Sequence, residues 1–260
     1  MSRPFLVPIA LLLLSIASVA DAQISAAQTP PKEPPPLWDT QIGASFVGTS
    51  GNTDITSVGG DFGLHRRWPV WTFESTATVV RTTDHDVLTA ERYLGTLRGQ
   101  RKLSAIVGLT VGERAERDRF AGVDFRSILD GGLSWALLRD ASTWTLDAVT
   151  AVAWDHEEPI GGPKFDDPIG VLQLLSRVPF GTGADSTQRV TFYPNFQHSD
   201  AYRSEVEVTA QAAMNARLAL KIGFLWRYSN APLFPFKKTD TTTTASIVVR
   251  FRSAELVATR

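Results

Sequence analysis

The sequence predicts an all-β fold, an antiparallel up-and-down transmembrane β-barrel of about twelve strands. Long segments alternate polar with apolar side chains, turns rich in Gly, Asn and Pro separate them, and a secretory signal precedes them. In VWTFESTATVV, for example, Trp71, Phe73 and Val79 alternate with Thr72 and Glu74. This alternation turns one face of a strand to lipid and the other to a wet interior, and closure leaves no unpaired edge in the membrane.

The same period of two continues through RSEVEVTAQAAMN and LALKIGFLWRY. The predicted strands are 38–49, 54–66, 70–81, 90–102, 105–116, 123–138, 143–155, 166–179, 187–197, 202–215, 218–229 and 239–251. Their length suits tilted membrane strands of about 9–11 residues. A soluble periplasmic β-sandwich or a lipocalin-like barrel would show the same alternation, but soluble strands average about 5–6 residues, which favours the membrane barrel.

The two ends of the chain predict segments outside the barrel. Arg3, a following apolar run and the small residues Ala20 and Ala22 have the pattern of a cleaved secretory signal. A proline-rich stretch that includes Pro30 and Pro36 predicts an extended periplasmic tether. The predicted division is a signal peptide at 1–22, a tether at 23–37, an outer-membrane β-barrel at 38–251 and a short C-terminal tail at 252–260. We therefore expect export to the outer membrane of a Gram-negative bacterium.

Composition excludes several classes of function. The chain has no cysteine, which excludes a disulfide framework, a Cys-ligated metal and a thiol nucleophile. Its 26 basic and 27 acidic residues are balanced, so nothing points to nucleic acid as a partner. The expected partners are outer-membrane lipid, lipopolysaccharide, the barrel-assembly machinery, and small solutes or ions. No cofactor is expected.

The connections between predicted strands alternate in length. RRWPV, KLSA, RDAS, GTGADS and NAR are short, as periplasmic turns are. TTDHDVLTA, RDRFAG, DHEEPIGGPKFDD, QHSDA and SNAPLFPFKK are longer and should face outward, with TSGNTD as a tight exception. Aromatic residues near strand ends are expected in the girdles at the two membrane surfaces, namely Trp71, Trp135, Trp144, Trp154, Trp226, Tyr93 and Tyr228.

The face opposite the apolar one is rich in charge and is predicted to line the lumen. Its charged residues are Asp61, Glu74, Arg98, Arg114, Glu116, Arg126, Asp130, Asp147, Arg177, Glu205, Glu207, Lys221, Arg227 and Arg250, with His65 near a strand end. A barrel of about twelve strands encloses a narrow space. Two interpretations stay open: a selectivity ladder for small solutes, or a plug in which every charge is paired.

Other charged residues suggest alternative sites outside the lumen. An outer-loop metal site would draw on His85, His156, Asp155, Glu157 and Glu158, or on Asp166 and Asp167. Lys237, Lys238, Arg117 and Arg119 would meet lipopolysaccharide phosphates. In each case we prefer ordinary solvated surface charge. For the metal site, nothing fixes a geometry, and flanking residues in a strand point to opposite sides.

No catalytic motif is evident, so we predict that the protein is not an enzyme. Ser134 in GLSWA lacks the second glycine of G-x-S-x-G and lies on a strand. A rim phospholipase would need such a nucleophile beside a histidine, and a carboxylate protease would have only the DHEE segment around His156. A rim enzyme and a soluble periplasmic β-sheet binding protein remain the alternatives.

Four strings resemble the salt-stress-induced outer-membrane protein family, catalogued as domain of unknown function 481. They are GASFVGTSGNTD, AERYLGTLRGQRKLS, ERDRFAGVDFRSILDGGLSWALL and KKTDTTTTASIVVRF. The resemblance implies an outer-membrane β-barrel without a settled activity or assigned residues, and it alone suggests a salt-stress role. The chain departs from the usual aromatic end of such barrels, since RSAELVATR follows Phe251. We expect a narrow passive channel or a structural envelope protein.

Overall fold

The computed structural model of the protein describes residues 37–48, 55–119, 121–140, 144–181 and 183–252. Within them lie β1 (Trp38–Gly48), β2 (Ile55–Arg67), β3 (Trp71–Asp84), β4 (Val87–Lys102), β5 (Val107–Asp118), β6 (Val123–Asp140), β7 (Trp144–Pro159), β8 (Phe165–Phe180), β9 (Ala184–Tyr193), β10 (Arg203–Ala213), β11 (Leu218–Ser229) and β12 (Thr239–Arg252). Each strand pairs with the next, and β12 pairs antiparallel with β1 to close the barrel. The predicted fold class and strand number are confirmed.

Several predicted segments lie outside the described residues: the signal peptide, nearly all of the tether, the TSGNTD turn and residues 253–260 of the tail. Across the part of the chain that is described, no helix is long and apolar enough to cross a membrane.

The barrel has two distinct ends. β1 begins and β12 ends at what we call the terminal end, where the β2–β3 and β4–β5 connections are also found. The opposite end, which we call the loop end, carries the connections 119–122, 160–164, 194–202 and 230–238. Because consecutive strands are antiparallel, every second connection lies at the same end.

The prediction of long outer loops is wrong at two places, where the strands extend into the predicted loop. β3 and β4 extend through most of TTDHDVLTA and leave a tight turn at His85 and Asp86, whose φ angles are 47° and 61°. Positive φ at both central residues is typical of a type I′ hairpin turn. Likewise β7 continues to Pro159, so that only 160–164 connects β7 to β8.

Alternation gives each strand an inward and an outward face, as β5 illustrates. Thr110 and Glu116 are buried on the inside, whereas Leu109 and Val111 are exposed on the outside. The outward face of the barrel is apolar, with exposed residues that include Ile42, Phe62, Val79, Leu129, Val152, Leu172, Ile222, Phe224 and Ile247. The aromatic residues expected in the girdles also lie on this face. An exposed apolar belt around a closed sheet suits a lipid environment.

One wall of the interior is apolar, which the alternation in the sequence does not predict. Ile128, Ala153, Ile169, Val171 and Tyr193 form a buried cluster on the inner faces of β6 to β9. The central strand of this wall, β8, is apolar on both faces, because the run PIGVLQLL breaks the alternation. The cluster therefore fills part of the space that the alternation had assigned to polar side chains.

Candidate functional site in the lumen

The structure places every predicted lumen residue on the inward face. Cross-strand register puts paired residues on a common face, since Glu116 pairs with Arg126, Asp61 with Thr78, and Glu74 with Arg98. Burial of Glu116 identifies that face as the inner one. The same parity holds for Arg114, Asp130, Asp147, Arg177, Glu205, Glu207, Lys221, Arg227 and Arg250. The structure thus brings these charges into one enclosed space, where most of them meet a partner of opposite sign.

Glu116 of β5 is the centre of the largest group of ion pairs, and its side chain is fully buried. Arg92 Nε donates to Glu116 Oε1 at 3.1 Å, and Arg227 Nη1 donates to the same oxygen at 2.8 Å. Arg114 Nη2 donates to Glu116 Oε2 at 3.0 Å. Asp118, two residues along β5 on the same face, accepts from Arg227 Nη2 at 2.6 Å. Three arginines therefore converge on the Glu116 carboxylate, with Asp118 beside it.

Arg227 and Arg114 make contacts that cross the barrel. Arg227 lies on β11 and Glu116 on β5, so the strands are six apart in the closed order of twelve and face each other across the axis. Arg114 of β5 binds Glu205 of β10 through both guanidinium ends, at 2.9 Å and 2.8 Å. Bidentate Arg–carboxylate pairs fix geometry as well as charge. The lumen is consequently spanned by side chains at this level.

A second arm extends the group toward β7 and β10. Arg126 Nε donates to Glu157 Oε2 at 2.6 Å, and Arg203 Nη1 donates to the same oxygen at 3.1 Å. Arg203 Nη2 also donates to Asp155 Oδ2 at 2.5 Å. We call the whole group the ion-pair layer; it comprises Arg92, Arg114, Glu116, Asp118, Arg126, Asp155, Glu157, Arg203, Glu205 and Arg227.

The ion-pair layer is electrically balanced, with five arginines and five carboxylates. Balance matters because an unpaired buried charge is costly, whereas a satisfied network holds its members in fixed positions. Within the described residues, one buried oxygen of the layer, Asp155 Oδ1, has no hydrogen-bond partner. The layer therefore combines the two interpretations of the lumen: it is charged like a selectivity filter and paired like a plug.

Five of the ten residues of the ion-pair layer were not predicted to line the lumen: Arg92, Asp118, Asp155, Glu157 and Arg203. Arg92 and Arg203 were inside predicted strands, and their parity would have identified them. Asp118, Asp155 and Glu157 lay at or beyond predicted strand ends, because β5 and β7 are longer than the alternation indicated.

The structure does not assemble the alternative metal or enzyme sites. Within the described part of the chain, no group of three His, Asp or Glu side chains could hold a metal ion. Asp155 and Glu157 face the lumen, whereas His156 faces outward, where it contacts Asp166 at 2.8 Å. Ser134 pairs with Val149 near the terminal end of the barrel, seven positions along β7 from His156. The serine and this histidine therefore cannot act together.

A cavity of about 310 Å³ lies above the ion-pair layer at the loop end. Arg126, Glu157, Arg203, Glu205 and Arg227 of the layer form its floor. Its remaining lining comes from the loops and strand ends, including Val123, Phe165, Asp167, Asn195, Leu233, Phe236, Lys237 and Asp240. We call this cavity the vestibule. It is large enough to admit a small solute and presents charged groups to it.

The β11–β12 loop folds over the vestibule and contacts two neighbouring loops. The ring of Phe236 lies so close to Gly122 that a Cβ at this position would come within 2.5 Å of Phe236 Cδ2. Leu233 approaches Gly162 in the same way, at 2.6 Å from an added Cβ. Gly122 also has a φ of 79°, which favours glycine. The loop is thus held across the mouth by close packing on two glycines.

Below the ion-pair layer, the inner wall of β2 to β4 is mainly polar and small. Thr76 and Thr96 share a hydrogen bond of 2.6 Å between their hydroxyl groups. Arg98 of β4 makes a bidentate pair with Asp130 of β6 at 2.9 Å and 2.7 Å. Lys221 approaches Asp61 at 3.6 Å. This wall stands opposite the apolar cluster and offers a hydrophilic surface along the barrel axis.

The chain resembles several solved structures at low sequence identity. One is the NanC porin, at 12% identity, with 82% of this chain and 97% of that chain covered and a TM-score of 0.45. Another is an outer membrane channel from Pseudomonas putida F1, at 16% identity, with 86% and 100% covered and a TM-score of 0.49. A third is the CymD monoaromatic hydrocarbon channel, at 7% identity, with 85% and 90% covered and a TM-score of 0.40. Among curated proteins, none matches the chain.

A family model does match the sequence itself. Its description is "Protein of unknown function, DUF481", and the match runs over residues 42–251, from the first strand to the last. This confirms the resemblance of the four sequence strings to domain of unknown function 481, and the match covers the whole set of lumen residues. The chain belongs to the DUF481 family.

Proposed function

We propose that the protein is a narrow passive channel of the Gram-negative outer membrane, and that the ion-pair layer is its constriction. The observation that carries the proposal is the charged layer across the lumen, with a solute-sized vestibule on one side of it and a polar wall on the other. Opposed charges at a constriction select among small hydrophilic solutes by their electrostatic field and by the pore diameter that they leave open. No step of this function requires a catalytic group or a cofactor.

The outward face supports placement in a membrane. Exposed apolar side chains surround the barrel, and Trp71 and Trp144 lie toward the terminal end while Tyr93 and Trp154 lie toward the loop end. Aromatic residues at two levels are typical of barrels that meet both membrane surfaces. We assign the terminal end to the periplasm, because longer loops of outer-membrane barrels face outward. Export through a signal peptide and a link to salt stress are further parts of the proposal.

Proteoliposome swelling tests the proposal. The protein, extracted in detergent and reconstituted, should let small hydrophilic solutes such as glycine enter more quickly than a trisaccharide. The control is the same preparation unfolded by heat, which should give no swelling. Swelling that does not depend on solute size would contradict a narrow channel.

The closed ion-pair layer favours one competing function, a structural envelope barrel with a permanently plugged lumen. This alternative predicts a folded, heat-modifiable barrel that passes no solute even when the bridge from Arg114 to Glu205 is removed. The channel predicts passage that increases on the same change.

A further inference from the structure

Two charged side chains of the vestibule have no ion-pair partner among the described residues, and they carry opposite charge. Lys237 lies near the end of the β11–β12 loop, and Asp240 is the second residue of β12. Both line the same cavity. Across the part of the chain that the structure describes, neither side chain makes a hydrogen bond or a salt bridge. Lys237 is exposed and Asp240 is half-buried, so a solute in the vestibule can reach both.

The other charged groups that line the cavity are already engaged. Arg227 lies directly opposite Asp240 in the register of β11 and β12. Its two terminal nitrogens, however, bind Glu116 and Asp118. The remaining pairs are Arg126 and Arg203 with Glu157, Glu205 with Arg114, and Asp167 with His198. A ligand would have to break an existing pair to use any of these groups, whereas Lys237 and Asp240 are available.

Apolar side chains complete the lining of the vestibule. Val123 and Phe165 contribute from β6 and β8, and Leu233 and Phe236 contribute from the β11–β12 loop. The two loop residues pack on glycines of the neighbouring loops, which holds the loop beside Lys237 in place without a ligand. A site that is ordered beforehand loses less entropy on binding. The volume of about 310 Å³ lies in the range of pockets that hold small molecules.

Charges of both signs beside an apolar wall fit one class of solute. An ammonium binds a carboxylate through charge-assisted hydrogen bonds, and an apolar wall binds hydrocarbon. Because Lys237 and Asp240 are three positions apart and line one cavity, a single small molecule can contact both. We propose that the vestibule binds zwitterionic α-amino acids with an apolar side chain, with Lys237 at the carboxylate and Asp240 at the ammonium. Passage of such solutes rests on the proposed function; the binding itself does not.

A ligand series tests the three contacts in the unchanged protein. Calorimetric titration of the detergent-extracted protein with leucine should give saturable heat. Leucinamide lacks the carboxylate, N-acetylleucine lacks the ammonium and glycine lacks the side chain, so each should bind about tenfold more weakly than leucine. Absence of saturable heat with leucine would overturn the site. An affinity for any of the three analogues equal to that for leucine would overturn recognition of an apolar zwitterion.

Substitutions test the two charged residues separately. Lys237→Gln should weaken leucine binding about tenfold and leave leucinamide binding unchanged, and Asp240→Asn should weaken leucine binding and leave N-acetylleucine binding unchanged. The matched controls are Lys238→Gln and Asp200→Asn, two exposed residues outside the described lining of the vestibule, and both should keep the leucine affinity. Unchanged leucine affinity in the first two variants, or an equal loss in the controls, would overturn the assignment. Heat-modifiable migration checks that each variant is folded.

Solute uptake separates the site from the channel. Proteoliposome swelling in leucine measures passage, whereas the titration measures binding alone. Saturable binding of leucine without swelling in any solute would contradict the proposed channel and leave the site in place. Swelling without saturable binding of leucine would overturn the site and leave the channel in place.

Discussion

Arg227 Nη1 lies 2.8 Å from Glu116 Oε1, although the two residues belong to strands on opposite walls of the barrel. The contact spans 111 positions of sequence and joins the walls through the middle of the lumen. Because Glu116 also binds Arg92 and Arg114, one buried carboxylate ties together three strands. The interior of the barrel is therefore organised around the negative charge of Glu116, which arginines from both walls balance.

Glu116→Gln should be strongly destabilising. The substitution removes the negative charge that holds Arg92, Arg114 and Arg227 together. Breaking a buried ion pair costs about 3–5 kcal/mol. The measurement is the urea midpoint of unfolding in detergent. Glu207→Gln is the matched control, because Glu207 pairs with Arg189 at 2.9 Å while 40% exposed, and exposed pairs contribute about 0–1 kcal/mol. Equal effects of the two substitutions would show that Glu116 is not the centre of the ion-pair layer.

Gly132→Ala should destabilise the barrel at the β6–β7 contact. An added Cβ would lie 2.2 Å from the carbonyl oxygen of Thr150 and 2.5 Å from Cα of Ala151, so the backbone itself must move. Overpacking of this kind costs about 1–3 kcal/mol. The adjacent Gly131→Ala meets nothing within 4 Å and should leave the unfolding midpoint unchanged or higher. A larger loss for Gly131→Ala would show that this contact is not as tight as described.

Phe236→Ala should loosen the loop over the vestibule, because the ring that packs on Gly122 is lost. Trypsin added to intact cells should then cleave after Lys237 or Lys238 more rapidly than in the unchanged protein. Phe234→Ala provides the control, since Phe234 is 97% exposed and its removal leaves the packing intact. Equal cleavage rates in the two variants would argue against Phe236 as the anchor.

Glu113→Leu should stabilise the protein in a bilayer. Glu113 is exposed on the outward face of β5, between Leu97 and Leu129 in the neighbouring strands. A basic side chain on the lipid face lowers the stability of a barrel by about 2–4 kcal/mol, and an acidic one lowers it by less. Leucine removes that cost. Refolding titrations in lipid vesicles check the sign. A fall in stability would mean that this face of β5 is not covered by lipid.

Alternation was sufficient to predict which face of most strands is inward. Arg114, Glu116 and Glu205 could be assigned to the lumen because a period of two fixes the side of each residue once the apolar face is known. It could not predict the apolar cluster, since Ile169 and Leu172 lie on opposite faces of a strand that is apolar on both sides. β3 was predicted to end too early and β4 to begin too late, because the polar residues on either side of the His85–Asp86 turn are in extended backbone.

The contacts across the lumen could not be predicted from the sequence. Arg227 and Glu116 meet only because the sheet closes, and their relative height depends on the stagger of every strand between them. No local pattern records that stagger. The pairing of charges into one balanced layer is therefore a property of the closed barrel.

The most direct test of the constriction is single-channel conductance in planar bilayers with one cross-lumen bridge removed. The double variant Arg114→Ala/Glu205→Ala keeps the net charge and deletes the bidentate pair between β5 and β10. Its matched control is Arg117→Ala/Asp124→Ala, which deletes an exposed pair of 3.0 Å on the outside of the same barrel. We expect discrete steps from the unchanged protein, larger steps from the lumen variant and unchanged steps from the control. Identical steps from all three folded proteins, or no steps from any of them, would contradict a channel that the Arg114–Glu205 pair constricts.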